Sequence, residues 1–156
     1  LLKFVKYLFK KKTTLVYTID QLPKNKKIIL FDGVCKLCNS SVLRVVKYDK
    51  KNVFVFASLQ SDIGKNIADY LNIDTSKTDT IILFEPQVAY YTKSTAALKI
   101  ANHFGGFWTF FQIFTVFPES FRDVIYDVVS RNRYKWFGKK ESCMIPSPTL
   151  KHKFLE

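Results

Sequence analysis

Two cysteines stand two residues apart in Cys35-Lys36-Leu37-Cys38, just after the apolar run Ile28-Ile29-Leu30-Phe31 and the pair Asp32-Gly33. Attack on a disulfide requires a thiolate. At the mouth of a helix, unpaired backbone N–H groups and the positive end of the dipole favour that thiolate. A helix opening near Cys35 would supply both, and Lys36 adds positive charge. Together they are expected to lower the thiol pKa below its free value of about 8.5. Two intervening residues let the second sulfur reach the first. The expected roles are therefore Cys35 as nucleophile and Cys38 as resolving thiol. Asp32 lies three residues before Cys35 and has two readings. It caps backbone N–H groups in an Asp-Gly turn, or it carries a proton during exchange.

Other residues could also do chemistry. Cys-x-x-Cys is half of many zinc sites, and Cys143, His103 and His152 are the further ligands on offer, none in a second paired spacing. Placement after a buried strand and at the start of a helix favours redox chemistry over zinc. Cys143 reads as a small buried residue before it reads as a third redox thiol. His103 suits a helix C-terminus. Arg122, Asp123, Asp127, Arg131 and Arg133 cluster along one helix. Asp127 and Arg131 are spaced to pair, and an arginine-lined anion site near the thiols is the functional alternative.

The elements that must hold this pair follow from apolar spacing. Ile28–Phe31 reads as a fully buried strand, followed by a helix from the cysteines to about Lys50. Val53–Phe56 is a second strand. Ser61 caps a helix that turns Ile63, Ile67 and Leu71 to one face. Thr80–Phe84 and Val88–Tyr91 form a hairpin. Ser94 or Thr95 caps a helix that Gly105-Gly106 stops. Residues 107–117 read as an apolar helix buried against the domain, with an exposed apolar patch as the alternative. After Pro118, the residues Phe121, Val124, Ile125, Val128 and Val129 make an apolar helical stripe. A crossover helix makes the first two strands parallel and the hairpin adds an antiparallel pair. The expected fold is α/β: a thioredoxin-like mixed sheet of about four strands flanked by helices, with extra C-terminal helices and a basic N-terminal helical extension.

The chain has 156 residues, enough for one domain without a disulfide or metal staple. Three cysteines are too few for a secreted disulfide scaffold. The net charge is +12, with 15 Phe, 8 Tyr and 2 Trp, but no nucleic-acid recognition motif accompanies the charge. Residues 1–12 form a basic amphipathic pattern of the kind that lies on anionic lipid or docks on a partner. Residues 1–21 are read as an extension and 22–156 as the domain. The expected localisation is cytoplasmic, with peripheral membrane contact through residues 1–12.

Phe31-Asp32-Gly33-Val34-Cys35-Lys36-Leu37-Cys38-Asn39 resembles the signature of the DCC family of thiol-disulfide oxidoreductases, named for Asp-x-x-Cys-x-x-Cys. Ala57–Ser61, Tyr91–Ala97, Arg122-Asp123 through Tyr126, Asn132-Arg133-Tyr134 and Phe137-Gly138 are similar to later family segments. So are Cys143, Pro146, Pro148 and Lys153-Phe154-Leu155. The resemblance implies a thioredoxin-like fold, dithiol chemistry at Cys35 and Cys38, and a functional Asp32. The expected substrate is a thiol or disulfide, protein or small molecule, and no cofactor or metal is needed because the dithiol carries the two electrons. Thioredoxins usually place a cis-proline before the third strand; this chain has Thr78-Asp79-Thr80 there. The competing reading is a membrane-surface or protein-binding module on the same scaffold, and a structural zinc site is the third.

Overall fold

The computed structural model describes residues 21–75, 80–143 and 146–155. The amphipathic pattern at 1–12, and positions 78 and 79, lie outside the described residues. Among the described residues, four strands and four α-helices follow in order. They are β1 (Lys27–Phe31), α1 (Lys36–Tyr48), β2 (Phe54–Ser58), α2 (Asp62–Tyr70), β3 (Ile82–Glu85), β4 (Ala89–Thr92), α3 (Lys93–Phe104) and α4 (Glu119–Phe137). A 3₁₀ segment, Gly106–Val116, lies between α3 and α4.

The sheet order is β2-β1-β3-β4. β1 pairs parallel to β2 and antiparallel to β3, and β3 and β4 form an antiparallel hairpin. This is the mixed α/β sheet of a thioredoxin-like fold. Alternate residues of β1 enter different cores. Ile28 and Leu30 pack with Val55 and with Ile67 of α2. Ile29 and Phe31 pack with Val42 and Val45 of α1 and Ile100 of α3. Burial on both faces explains why the strand is an unbroken apolar run.

Helix termini follow local chemistry in part. Ser61 caps α2, its hydroxyl accepting the Gly64 N–H at 3.1 Å. Gly105 and Gly106 take φ of 66° and 57° and end α3, a backbone state that glycine adopts without steric cost. Three expectations shift. β3 starts at Ile82 rather than Thr80, because the Ile81 N–H donates to Tyr126 OH (2.9 Å) and the Thr80 hydroxyl accepts from the Lys93 N–H (2.9 Å). The N-cap of α3 is Thr92, without a side-chain bond. Ser94 and Thr95 instead donate across to Asp123 and Glu119 of α4. Asp127 pairs with Lys93 at 2.8 Å rather than with Arg131.

The largest correction concerns residues 107–128. The segment expected to be a helix buried against the domain is a 3₁₀ segment without a buried residue, and Phe107 and Val116 are 77% and 81% exposed. In α4 the apolar stripe faces outward at Phe121, Val124, Ile125 and Val128. The side turned to the domain is polar: Asp123, Tyr126, Asp127, Ser130 and Arg133 follow helical spacing, four of them reach partners on other elements, and Ser130 accepts from Arg133. Burying these groups is tolerated because each is paired.

Candidate active site

The site forms where β1 ends and α1 begins. Cys35 is the N-cap of α1, with extended backbone, and its Sγ accepts the Cys38 N–H at 3.2 Å. This is the contact a thiolate would use at a helix N-terminus. Cys35, Cys38 and Cys143 are all free thiols. Cys35 is fully buried. Its cover is the chain after α4: Lys139 bridges to Cys35, the Lys36 N–H donates to Gly138 O (3.3 Å), and the Lys140 N–H donates to Val34 O (2.7 Å). Cys38 is partly exposed. Burial pushes its thiol pKa up, and the hydrogen bond and charge of Cys35 push it further.

Asp32 is buried with both oxygens engaged. Oδ1 accepts from the Val34 N–H (3.0 Å) and from Gln60 Nε2 (3.0 Å). Oδ2 accepts from Arg133 Nη2 (2.7 Å) and from the Tyr134 hydroxyl. Burial alone would raise its pKa. Hydrogen bonds from Tyr134, Arg133 and Val34, with the Arg133 charge, outweigh burial and hold it below the ordinary carboxyl value. Burial and the bond to Asp32 push Tyr134 up to about 12.

Gly33 is required by close approach. A Cβ there would lie 2.0 Å from Cys143 Sγ and 2.8 Å from Ser58 Oγ. Cys143 donates to Ser58 Oγ at 3.1 Å, and Ser58 donates to Gln60 Oε1 at 2.6 Å. A hydrogen-bonded chain therefore runs from Cys143 through Ser58 and Gln60 to Asp32, Arg133 and Tyr134. Cys143 thus ties the tail against the active-site turn.

The structure brings Asp32, Cys35 and Cys38 together. It also breaks up the expected arginine cluster: Arg133 reaches the site but is bound to Asp32, while Arg122 Nε donates to Phe117 O (3.1 Å). Among the described residues no three His, Cys, Asp or Glu side chains converge as metal ligands. His103 packs on Phe54 with ring centroids 5.1 Å apart. Residue reasoning missed Gln60 and Tyr134 as partners of Asp32. The only signal for them was that both fall in segments similar to the DCC family. A cavity of about 290 Å³ opens beside Cys38, between α1, α3 and α4.

The family model described as DCC1-like thiol-disulfide oxidoreductase matches residues 29–139, the span from β1 through α4 to the residue bridged to Cys35. The chain belongs to this family. The DCC1-like chain is 42% identical over 138 residues to YuxK, an uncharacterized protein of Bacillus subtilis (strain 168), covering 88% of this chain and 98% of that one. It is 34% identical over 134 residues to a chloroplastic DCC family protein of Arabidopsis thaliana, covering 85% of this chain and 75% of that one. No solved structure matches the DCC1-like chain significantly.

Proposed function

We propose that the chain is a thiol-disulfide oxidoreductase working through the Cys35–Cys38 pair. The observation that carries this reading is the first turn of α1, where the Cys35 sulfur caps the helix and accepts the Cys38 N–H. In the reducing direction, one thiolate of the pair bonds to a substrate sulfur and breaks the substrate S–S bond. The departing thiolate takes up a proton. The second cysteine then loses its proton and attacks the mixed disulfide. That closes Cys35–Cys38 and releases the second substrate thiol, so two electrons pass from protein to substrate. Attack by Cys35 requires the Gly138–Lys140 segment to lift; attack by Cys38 requires no backbone movement. No cofactor enters these steps, because the dithiol carries both electrons. Asp32 acts as a positioning residue that holds the turn before Cys35. Its occupied oxygens and depressed pKa favour that role over proton transfer.

A redox titration over a dithiothreitol series tests the couple, with thiols counted by alkylation and mass spectrometry. The expected result is reversible loss of two thiols, mapped to Cys35 and Cys38. Thiols that stay alkylatable under every oxidising condition would remove the reading. The midpoint sets the direction, at about 30 mV per factor of ten in equilibrium constant.

A second reading is favoured by the outward apolar face of residues 107–128. Its acidic neighbours Glu119, Asp123 and Asp127 are bonded to Thr95, Ser94 and Lys93 of α3. Arg131 and Lys135 stay exposed, as do Trp136 and Phe137. An apolar and cationic face suits an anionic membrane surface, with the basic pattern at residues 1–12 as a second contact. No helix among the described residues is long and apolar enough to cross a membrane.

A further inference from the structure

The cavity beside Cys38 is walled mainly by apolar side chains, among them Leu37, Ile81, Ala101, Phe104 and Val129. Its charged residues are few. Asp32 and Arg133 neutralise each other at 2.7 Å, and Arg44 is exposed. Its hydroxyls are all engaged: Ser41 donates to Leu37 O, Ser130 accepts from Arg133, and Thr80 and Tyr126 bond to each other and to the Ile81 backbone. An engineered protein cavity of about 150 Å³ takes up benzene. The present cavity, at about 290 Å³, has room for a group somewhat larger than a benzyl. Cys38 forms part of its wall, whereas Cys35 is fully buried and does not line it.

We propose that this cavity binds the apolar substituent of a low-molecular-weight disulfide or thiol and presents its sulfur to Cys38. The proposal rests on the oxidoreductase reading and adds two things to it: the substrate class, and the sulfur that substrate meets first. In reduction, Cys38 loses its proton to solvent, and its thiolate bonds to the substrate sulfur that carries the apolar group. The substrate S–S bond breaks, and the other half leaves as a thiolate and is protonated from solvent. Cys35 then loses its proton and attacks Cys38 Sγ, forming Cys35–Cys38 and releasing the apolar thiol. An added dithiol such as dithiothreitol returns the two electrons. The buried Cys35 serves as the resolving sulfur, a role that needs contact with Cys38 but none with the substrate.

The test compares benzyl 2-hydroxyethyl disulfide with bis(2-hydroxyethyl) disulfide, two alkyl disulfides of similar intrinsic reactivity, with dithiothreitol as reductant. The expected result is a kcat/KM at least tenfold higher for the benzyl compound, with the ratio falling toward one in Ala101→Phe. In Cys35→Ser, mass spectrometry should find a benzylthio adduct on Cys38; in Cys38→Ser, none on Cys35. Equal kcat/KM for the two disulfides in the wild type, or an adduct on Cys35, overturns the proposal. Methyl resonances of wild-type protein titrated with benzyl alcohol give a readout independent of redox chemistry. Shifts at Leu37, Ala101 and Val129 support the cavity as a binding site, and their absence overturns it. Shifts together with no turnover of either disulfide and no adduct would remove the oxidoreductase reading and the role of Cys38, while keeping the cavity as an apolar ligand site.

Discussion

Asp32 is the residue on which the site's geometry turns. Its ion pair with Arg133 is almost wholly buried, with side-chain exposures of 9% and 5%. Removing one partner of such a pair leaves the other charge without compensation. Asp32→Asn is therefore expected to cost about 3–5 kcal/mol of stability, read by urea denaturation. The pH dependence has a definite sign. A folded pKa below the unfolded value of about 3.9 stabilises the protein fully above that value. This contribution is lost as pH falls through the depressed folded pKa. Denaturation midpoints of the wild type should drop below about pH 4, and those of Asp32→Asn should drop less steeply. Tyr134 has the opposite sign: its folded pKa is raised to about 12. Its contribution is present below the unfolded value of about 10 and is lost as pH rises from there toward the folded value. Absorbance at the phenolate band should show Tyr134 titrating late, near 12 in the wild type, with the buried Tyr126 also raised. That late titration should move downward in Asp32→Asn.

At the scale of elements, two positions show how closely the loops are fitted. The turn at Gly33 lies between β1 and Cys143, and a methyl group there would overlap the Cys143 sulfur. Gly33→Ala should lower the thermal midpoint and increase alkylation of Cys143 by iodoacetamide. Gly33→Ala combined with Cys143→Ala should recover part of that loss. Ser61 at the start of α2 has the simpler role of a cap. Ser61→Ala should cost about 0.5–2 kcal/mol, measured by denaturation, without change in the redox midpoint. Both effects follow from short-range geometry. Asp32-Gly33 reads as a turn and Ser61 as a cap from sequence alone. That Cys143, 85 residues from Ser58, closes onto the same turn does not.

For the whole molecule, the notable feature is the orientation of α4. A surface helix ordinarily turns its apolar stripe inward. Here the polar stripe is inward, because it carries the groups that pair with Asp32, Ser94 and Lys93. The apolar stripe remains outside and continues the exposed 3₁₀ segment. If that face meets lipid, the protein should sediment with vesicles containing anionic phosphatidylserine more than with pure phosphatidylcholine. Phe110→Ser with Phe114→Ser should reduce that binding at least severalfold while leaving the redox midpoint unchanged. Equal recovery of wild type and variant in the supernatant would count against the membrane reading. The same scale includes the closing contact of the tail. Lys153 Nζ lies 3.1 Å from Asp49 Oδ2 in a buried pair, and Phe154 packs on Phe31 and Phe56. Lys153→Ala should cost about 3 kcal/mol, because it leaves the buried Asp49 carboxylate without its counter-charge, held only by the Val53 and Phe54 N–H groups.

Sequence alone determined the strands, the parallel-then-hairpin order of the sheet, and the placement of Cys35 and Cys38 at the start of a helix. These depend on apolar periodicity and on hydrogen bonds between near neighbours, and both are local. Only the tertiary structure decided which side of α4 faces the dithiol, what binds Asp32, and which sulfur is reachable. Arg133 meets Asp32 across 101 positions, and Lys139, beyond the end of α4, pairs its backbone with that of Cys35. A polar stripe reads as solvent-facing because burial of a charge is costly. The partner that cancels the cost is supplied by a distant part of the chain, so the rule reverses only when the fold brings the two together.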